Sequence, residues 1–137
     1  MRSIEPTEVP PYFWTINTGG PYHAACYGSG VNPFDVRVVL STFPDEAKAA
    51  AVAHALVNEH LVACVNLVPA VRSIYRWQGA VSDEREVLAI MKTTADAVPA
   101  LTQRILQLHP YETPEVIAVP VTDGNAAYLA WVAGSIG

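Results

Sequence analysis

From residue 36 onward the apolar residues alternate between a two-residue and a 3.6-residue rhythm, and that alternation leaves few folds open. Val36-Arg37-Val38-Val39-Leu40-Ser41-Thr42-Phe43 is a β-branched, apolar run and reads as a buried strand. Pro44-Asp45-Glu46 then opens a helix, because proline suits a first turn and acids suit the positive end of the dipole. Ala49, Val52, Ala53, Leu56 and Val57 recur at helical spacing and make one apolar stripe. Leu61 to Trp77 is extended, with Pro69 marking a bulge or a sheet edge. Beyond it, Val71, Ser73, Tyr75 and Trp77 share one face, and Arg72, Ile74 and Arg76 the other. Gln78-Gly79-Ala80 and Ser82-Asp83-Glu84 read as a hairpin connection, and Glu86 to Thr93 as the returning strand. Val98 to Leu108 is a second helix with the stripe Val98, Leu101, Ile105 and Leu108, ended by Pro110. Glu115 to Val121 is a fourth strand, and Asp123-Gly124-Asn125 turns into a short final helix bearing Tyr128, Trp131 and Val132.

The order β-α-β-β-α-β predicts an α+β, ferredoxin-like sandwich: an antiparallel four-stranded sheet with two helices on one face, here with an additional C-terminal helix. One sheet face then stays open. The strands are apolar on both sides, which predicts that a second copy of the chain covers that face. Composition agrees. Hydrophobic residues make up 51% of the 137 residues and charged ones 15%, against a usual charged share of about 25%. So little charge cannot coat a monomer generously. The net charge of −5 argues against nucleic acid or an anionic membrane as partner. No apolar run approaches the roughly 20 residues of a membrane span, and no signal peptide is expected. Cys26 and Cys64 are expected to be reduced thiols, and the protein cytoplasmic.

Residues 1–35 form a separate N-terminal extension rich in proline, glycine and aromatics, ahead of a domain spanning 36–137. An arm laying Tyr12, Phe13 and Trp14 on the domain or on a neighbour is favoured over a flexible leader, because aromatics gain from burial.

Catalytic chemistry finds little support. None of the serines sits in a nucleophile elbow, and Cys64 lies in the apolar run Val62-Ala63-Cys64-Val65, where a cysteine serves as a small core residue. Asp83, Glu84 and Glu86, interrupted by Arg85, read as a solvated hairpin tip. Gly28-Ser29-Gly30 is too short for a phosphate loop. There is no C-x-x-C and no H-x-x-x-H, which argues against a preformed zinc site. His23-Ala-Ala-Cys26 has two-ligand spacing but stands alone, and His54 and His60, six apart, read as surface residues. His109 differs. It ends a helix, where an imidazole can meet the negative end of the dipole, and it precedes a rigid, carboxylate-bearing loop. With Glu112 or Glu115 it offers a partial nitrogen and oxygen site for copper or zinc.

At His109-Pro110-Tyr111-Glu112-Thr113-Pro114-Glu115 the chain resembles the CutA family, the divalent-cation tolerance proteins. The segments Ala63-Cys64-Val65-Asn66, Pro69 through Gly79, Glu86-Val87 with Lys92-Thr93-Thr94, Pro120-Val121, Gly124-Asn125 and Tyr128-Leu129-Ala130-Trp131 agree. The match runs from about Val36 to Trp131. The resemblance implies a ferredoxin-like fold assembled as a tight homotrimer with strands paired across subunit edges. It also implies tolerance of copper and other divalent cations, without catalysis. The family's proposed copper ligands include a cysteine at the end of the first strand and a histidine before the Pro-Tyr pair. The histidine is retained as His109. The cysteine position is Ser41, and a hydroxyl is a poor ligand for a soft metal. The expected metal site is therefore a weak one at His109, with Ser41 and Glu112, and no tightly bound cofactor.

The resemblance further implies an inter-subunit cleft lined by Tyr75, Trp77, Lys92, Tyr111 and Glu115. Interface packing is one reading of the aromatics. The other is a site for a small anionic ligand, with Lys92 as the charge, by analogy with the trimeric PII signalling proteins, a likeness of fold alone.

Overall fold

The structure, a computed structural model, describes residues 34–137. Residues 1–33 of the extension, and with them the His23–Cys26 pair, lie outside the described residues.

Strand β1 (Val36–Phe43) leads through the N-cap Asp45, whose carboxylate accepts the Lys48 amide at 2.8 Å, into helix α1 (Glu46–Asn58). The helix stops because His60 takes a left-handed backbone, φ 60°. Its amide then reaches the Val57 carbonyl, and that of Leu61 reaches Leu56, the paired bonds of a Schellman cap. Strand β2 (Cys64–Trp77) and strand β3 (Ala80–Thr94) form a long hairpin. Gln78 and Gly79 both have positive φ, 49° and 81°, the signature of a tight two-residue type I′ turn. A short 3₁₀ turn precedes helix α2 (Val98–Leu108), followed by strand β4 (Ile117–Pro120) and helix α3 (Ala126–Gly134).

The sheet order is β2-β3-β1-β4, and the pairings are antiparallel. This is the expected α+β, ferredoxin-like arrangement. One face carries the core: Val39, Phe43, Val87, Ala89 and Met91 from the sheet meet Val52, Leu56, Leu101 and Ile105 from α1 and α2. A smaller cluster of Val36, Ala63, Leu129 and Val132 seats α3. The alternate residues face away from the helices. There Val38 sits between Lys92 and Val119, and Leu40 between Ile90 and Ile117. No helix among the described residues is long and apolar enough to cross a membrane.

Three boundaries differ from expectation. The hairpin turns at Gln78-Gly79 alone, and Ser82, Asp83 and Glu84 lie within β3, opposite Tyr75, Ile74 and Ser73 in that order. Asp83 is therefore no loose tip: Arg72 grips both its oxygens, Nε at 2.8 Å and Nη2 at 2.6 Å. Charge pairing across a two-stranded ribbon replaces the apolar alternation that marks a strand in sequence. Strand β4 is shorter than 115–121. On α1, Val57 is 40% exposed, leaving Ala49, Val52 and Leu56 as the buried stripe. The bulge expected at Pro69 is present, between Val68 and Val71, with Ala70 at φ 58°.

Candidate functional site

The site begins where α2 ends. His109 caps the helix, its amide bonded to the Ile105 carbonyl, and Pro110 forbids continuation. The imidazole, 8% exposed, stacks on Phe43 with ring centroids 4.3 Å apart. Its Nε2 lies 2.8 Å from the Thr42 carbonyl oxygen, and its Nδ1 lies 3.0 Å from the Tyr111 amide. A carbonyl can only accept and an amide can only donate, so Nε2 carries the proton and the ring is neutral. Burial holds the His109 pKa below its ordinary value, against the opposing pull of the Thr42 carbonyl and the Glu86 charge.

The two bonds of His109 fold the following loop back over the sheet. Tyr111 tilts against the imidazole at 4.9 Å, and its hydroxyl donates to Glu86 Oε2 at 2.6 Å. Glu86 is only 6% exposed. Burial, then this bond and the surrounding negative charge, push the Tyr111 phenol well above its usual range. On the facing hairpin the Tyr75 hydroxyl donates to Glu84 at 3.3 Å, and burial together with the Glu84 charge raises its phenol too.

Between the hairpin and the loop lies a cleft of about 730 Å³. Ser73, Tyr75 and Trp77 line it from β2, and Tyr111, Glu112 and Glu115 from the loop. Thr42 and Glu86 line it from the sheet. Thus Tyr75, Trp77, Tyr111 and Glu115 line one cleft within a single chain. Lys92 does not join them: within one chain it lies on the open sheet face, opposite Val38, and donates to Asn66. Glu86 is the residue that sequence reasoning misplaced, as part of a solvated tip. Alternation was the available signal, because Val87, Ala89 and Met91 point into the core and turn Glu86 to the other face.

The metal candidates do not converge. Ser41 is fully buried on the core face, and its Oγ has no hydrogen-bond partner among the described residues. Both nitrogens of His109 are engaged by backbone, and Glu112 lines the cleft instead. Among the described residues no group of three or more His, Cys, Asp or Glu side chains is placed to hold a metal ion. A preassembled metal centre does not fit these residues. Cys64 is a free thiol 3.4 Å from the Tyr128 hydroxyl, and His54 and His60 are exposed.

Comparison with known proteins decides the family. The sequence profile described as CutA1 divalent ion tolerance protein matches residues 37–135. This chain belongs to the CutA1 family. The divalent-cation tolerance protein CutA of Thermus thermophilus is 50% identical over 101 residues, covering 74% of this chain and 98% of that protein. A solved structure of the divalent cation tolerance protein from the same organism superposes with a TM-score of 0.73 at 49% identity, covering 74% of this chain and 99% of that one. Human Protein CutA is 46% identical over 112 residues, covering 82% of this chain, which spans 63% of the human protein's length. A CutA structure from Archaeoglobus fulgidus described as periplasmic is 26% identical over 74% of this chain and 99% of that one, with a TM-score of 0.72.

Proposed function

We propose that this CutA1 chain is a non-catalytic, cytosolic homotrimer that acts in tolerance of divalent cations, copper among them, through weak and reversible metal binding. One observation carries the assembly. Val38, Leu40, Leu88 and Ile90 form an apolar belt on the uncovered sheet face, continued by Ile117 and Val119 at 51% and 46% exposure. A contiguous patch of that kind marks a surface meant to be covered, and a low-charge chain has little else to keep it soluble as a monomer. The family's name supports the tolerance role.

Weakness of binding follows from the geometry of His109. A metal at Nδ1 must displace the Tyr111 amide, and one at Nε2 must take the place of a proton bonded to Thr42. Ser41, buried on the core face, and Glu112, in the cleft, do not converge on His109 within one chain, so His109 alone is proposed as the protein ligand. Isothermal titration with copper and zinc, on the natural protein and on His109→Ala, tests the site. Affinity should drop in the variant, and equal affinities remove His109 from the reading. Light scattering should give three times the mass of one chain, and a stable monomer at micromolar concentration refutes the trimer.

A second reading is favoured by the cleft itself. Its volume falls within the roughly 300–1,000 Å³ of small-molecule sites. It is walled by aromatics and close to the exposed hairpin, so the trimer also serves as a small-ligand-binding or signalling protein. A thermal-shift screen of nucleotides and carboxylates, with Lys92→Ala as the partner variant, tests whether the ligand is anionic. Stabilisation lost in Lys92→Ala supports an anion.

A further inference from the structure

The charge of the cleft argues for a ligand of the other sign. Within one chain Glu86, Glu112 and Glu115 line it, and no Lys, Arg or His among the described residues does. Glu84 adds its charge from just beyond, bonded to Tyr75. The cationic side chains of the hairpin are turned elsewhere: Arg72 is opposite Arg85 in the register and is held by Asp83 on the reverse face. Lys92 is bonded to Asn66.

Two features separate this from a solvated acidic patch. The first is Glu86, a carboxylate more than nine-tenths buried that still lines the cleft, with Oε2 accepting from the Tyr111 hydroxyl. A carboxylate so largely withdrawn from bulk water gains from a cation that approaches it through the cleft. The second is the wall. Tyr75, Trp77 and Tyr111 bring three aromatic rings to one space, and aromatic faces attract cations through their quadrupole. An inorganic ion gains nothing from rings and needs converging oxygen or nitrogen ligands, which this cleft does not supply. An organic cation uses both features, its apolar body on the rings and its charge toward Glu86.

We infer that the cleft between the β2–β3 hairpin and the 109–115 loop is a binding site for a small organic cation of the substituted-ammonium class, with Glu86 as counter-charge and Tyr75, Trp77 and Tyr111 as the cage. The inference rests on the reading that the cleft holds a small ligand, and it fixes the sign and type of that ligand.

Three isosteres test it on the assembled, full-length protein by isothermal titration: choline, its neutral analogue 3,3-dimethylbutanol, and the anion 3,3-dimethylbutanoate. Choline should bind saturably and at least tenfold more tightly than either analogue. Glu86→Gln keeps an acceptor for Tyr111 while removing the charge, and it should abolish most of that preference. Trp77→Leu, at a position 46% exposed and tolerant of change, should weaken choline at least fivefold with the melting temperature unchanged. Equal binding of choline and dimethylbutanol, or choline binding untouched in both variants, overturns the inference. Tighter binding of the anion also overturns it but preserves the small-ligand reading. No binding of any of the three sinks both.

Discussion

The two faces of the sheet are built from the same strands and have opposite fates. On the helix side Val39, Phe43, Ala89 and Met91 are at most 2% exposed. One residue along each strand, Val38, Leu40, Leu88 and Ile90 are only half covered, and on β4 Ile117 and Val119 stand open. The side chains are equally apolar, so composition does not separate the faces. What separates them is whether this chain supplies the cover. The helix-covered face carries the fold, and the bare face is the one proposed to carry the assembly, with the cleft beside it.

That division can be broken from either side. Leu101→Ala, at a fully buried position beneath α2, should cost about 2–5 kcal/mol and be visible in urea denaturation. A loss as small as that of a surface change would mean that the helices are not what stabilises the sheet. Ile117→Lys on the bare face should leave far-UV circular dichroism unchanged while light scattering falls to the 14.7 kDa of one chain. Persistence of a larger particle would place the contacts elsewhere. Tyr111→Phe removes the donor to Glu86 at the seam between the faces and should cost about 1.5 kcal/mol, read from the denaturation midpoint.

The seam should also respond to pH. Burial keeps His109 neutral in the folded chain below its ordinary 6.5, while the unfolded chain takes up a proton there. Stability should therefore be complete above that pH and fall as pH drops through it toward the folded value. Melting curves between pH 7.5 and 5 should slope less for His109→Gln than for the natural chain, and parallel slopes would exclude the histidine as the cause. The smallest effect has the opposite sign. Ser41→Ala removes a buried hydroxyl with no partner among the described residues, and it should leave stability unchanged or raise it by up to about 1 kcal/mol. A clear loss would show that the Ser41 hydroxyl is satisfied inside the core, by a buried water for instance.

Much of this was legible in the residues. Both ends of β1 and α2 fall where the rhythm and the prolines place them, because β-branched runs and an 11-residue apolar stripe leave no alternative. The bare face was legible as well, from strands apolar on both sides. The start of β3 was not, because Ser82-Asp83-Glu84 looks like a turn until Arg72 is seen across the ribbon. The cleft was half legible. The His109–Glu115 loop announced itself by composition, but Glu86 lies 25 residues from Tyr111 in sequence, and only the fold joins them. Lys92 was grouped with the cleft by family resemblance, and the strand alternation that turns Val38 and Lys92 to the same side carries it elsewhere within the chain.

The bulge at Pro69 and Ala70 has a consequence for how another strand can pair at that edge. Strand β2 is an outer strand of 14 residues, long enough to template an endless fibre. Pro69 lacks an amide proton, and Ala70 twists the backbone, so the edge offers two short, misaligned docking rails in place of one straight one. A straight partner strand therefore cannot follow β2 along all 14 of its residues, and any pairing at that edge is confined to one side of Pro69 or the other.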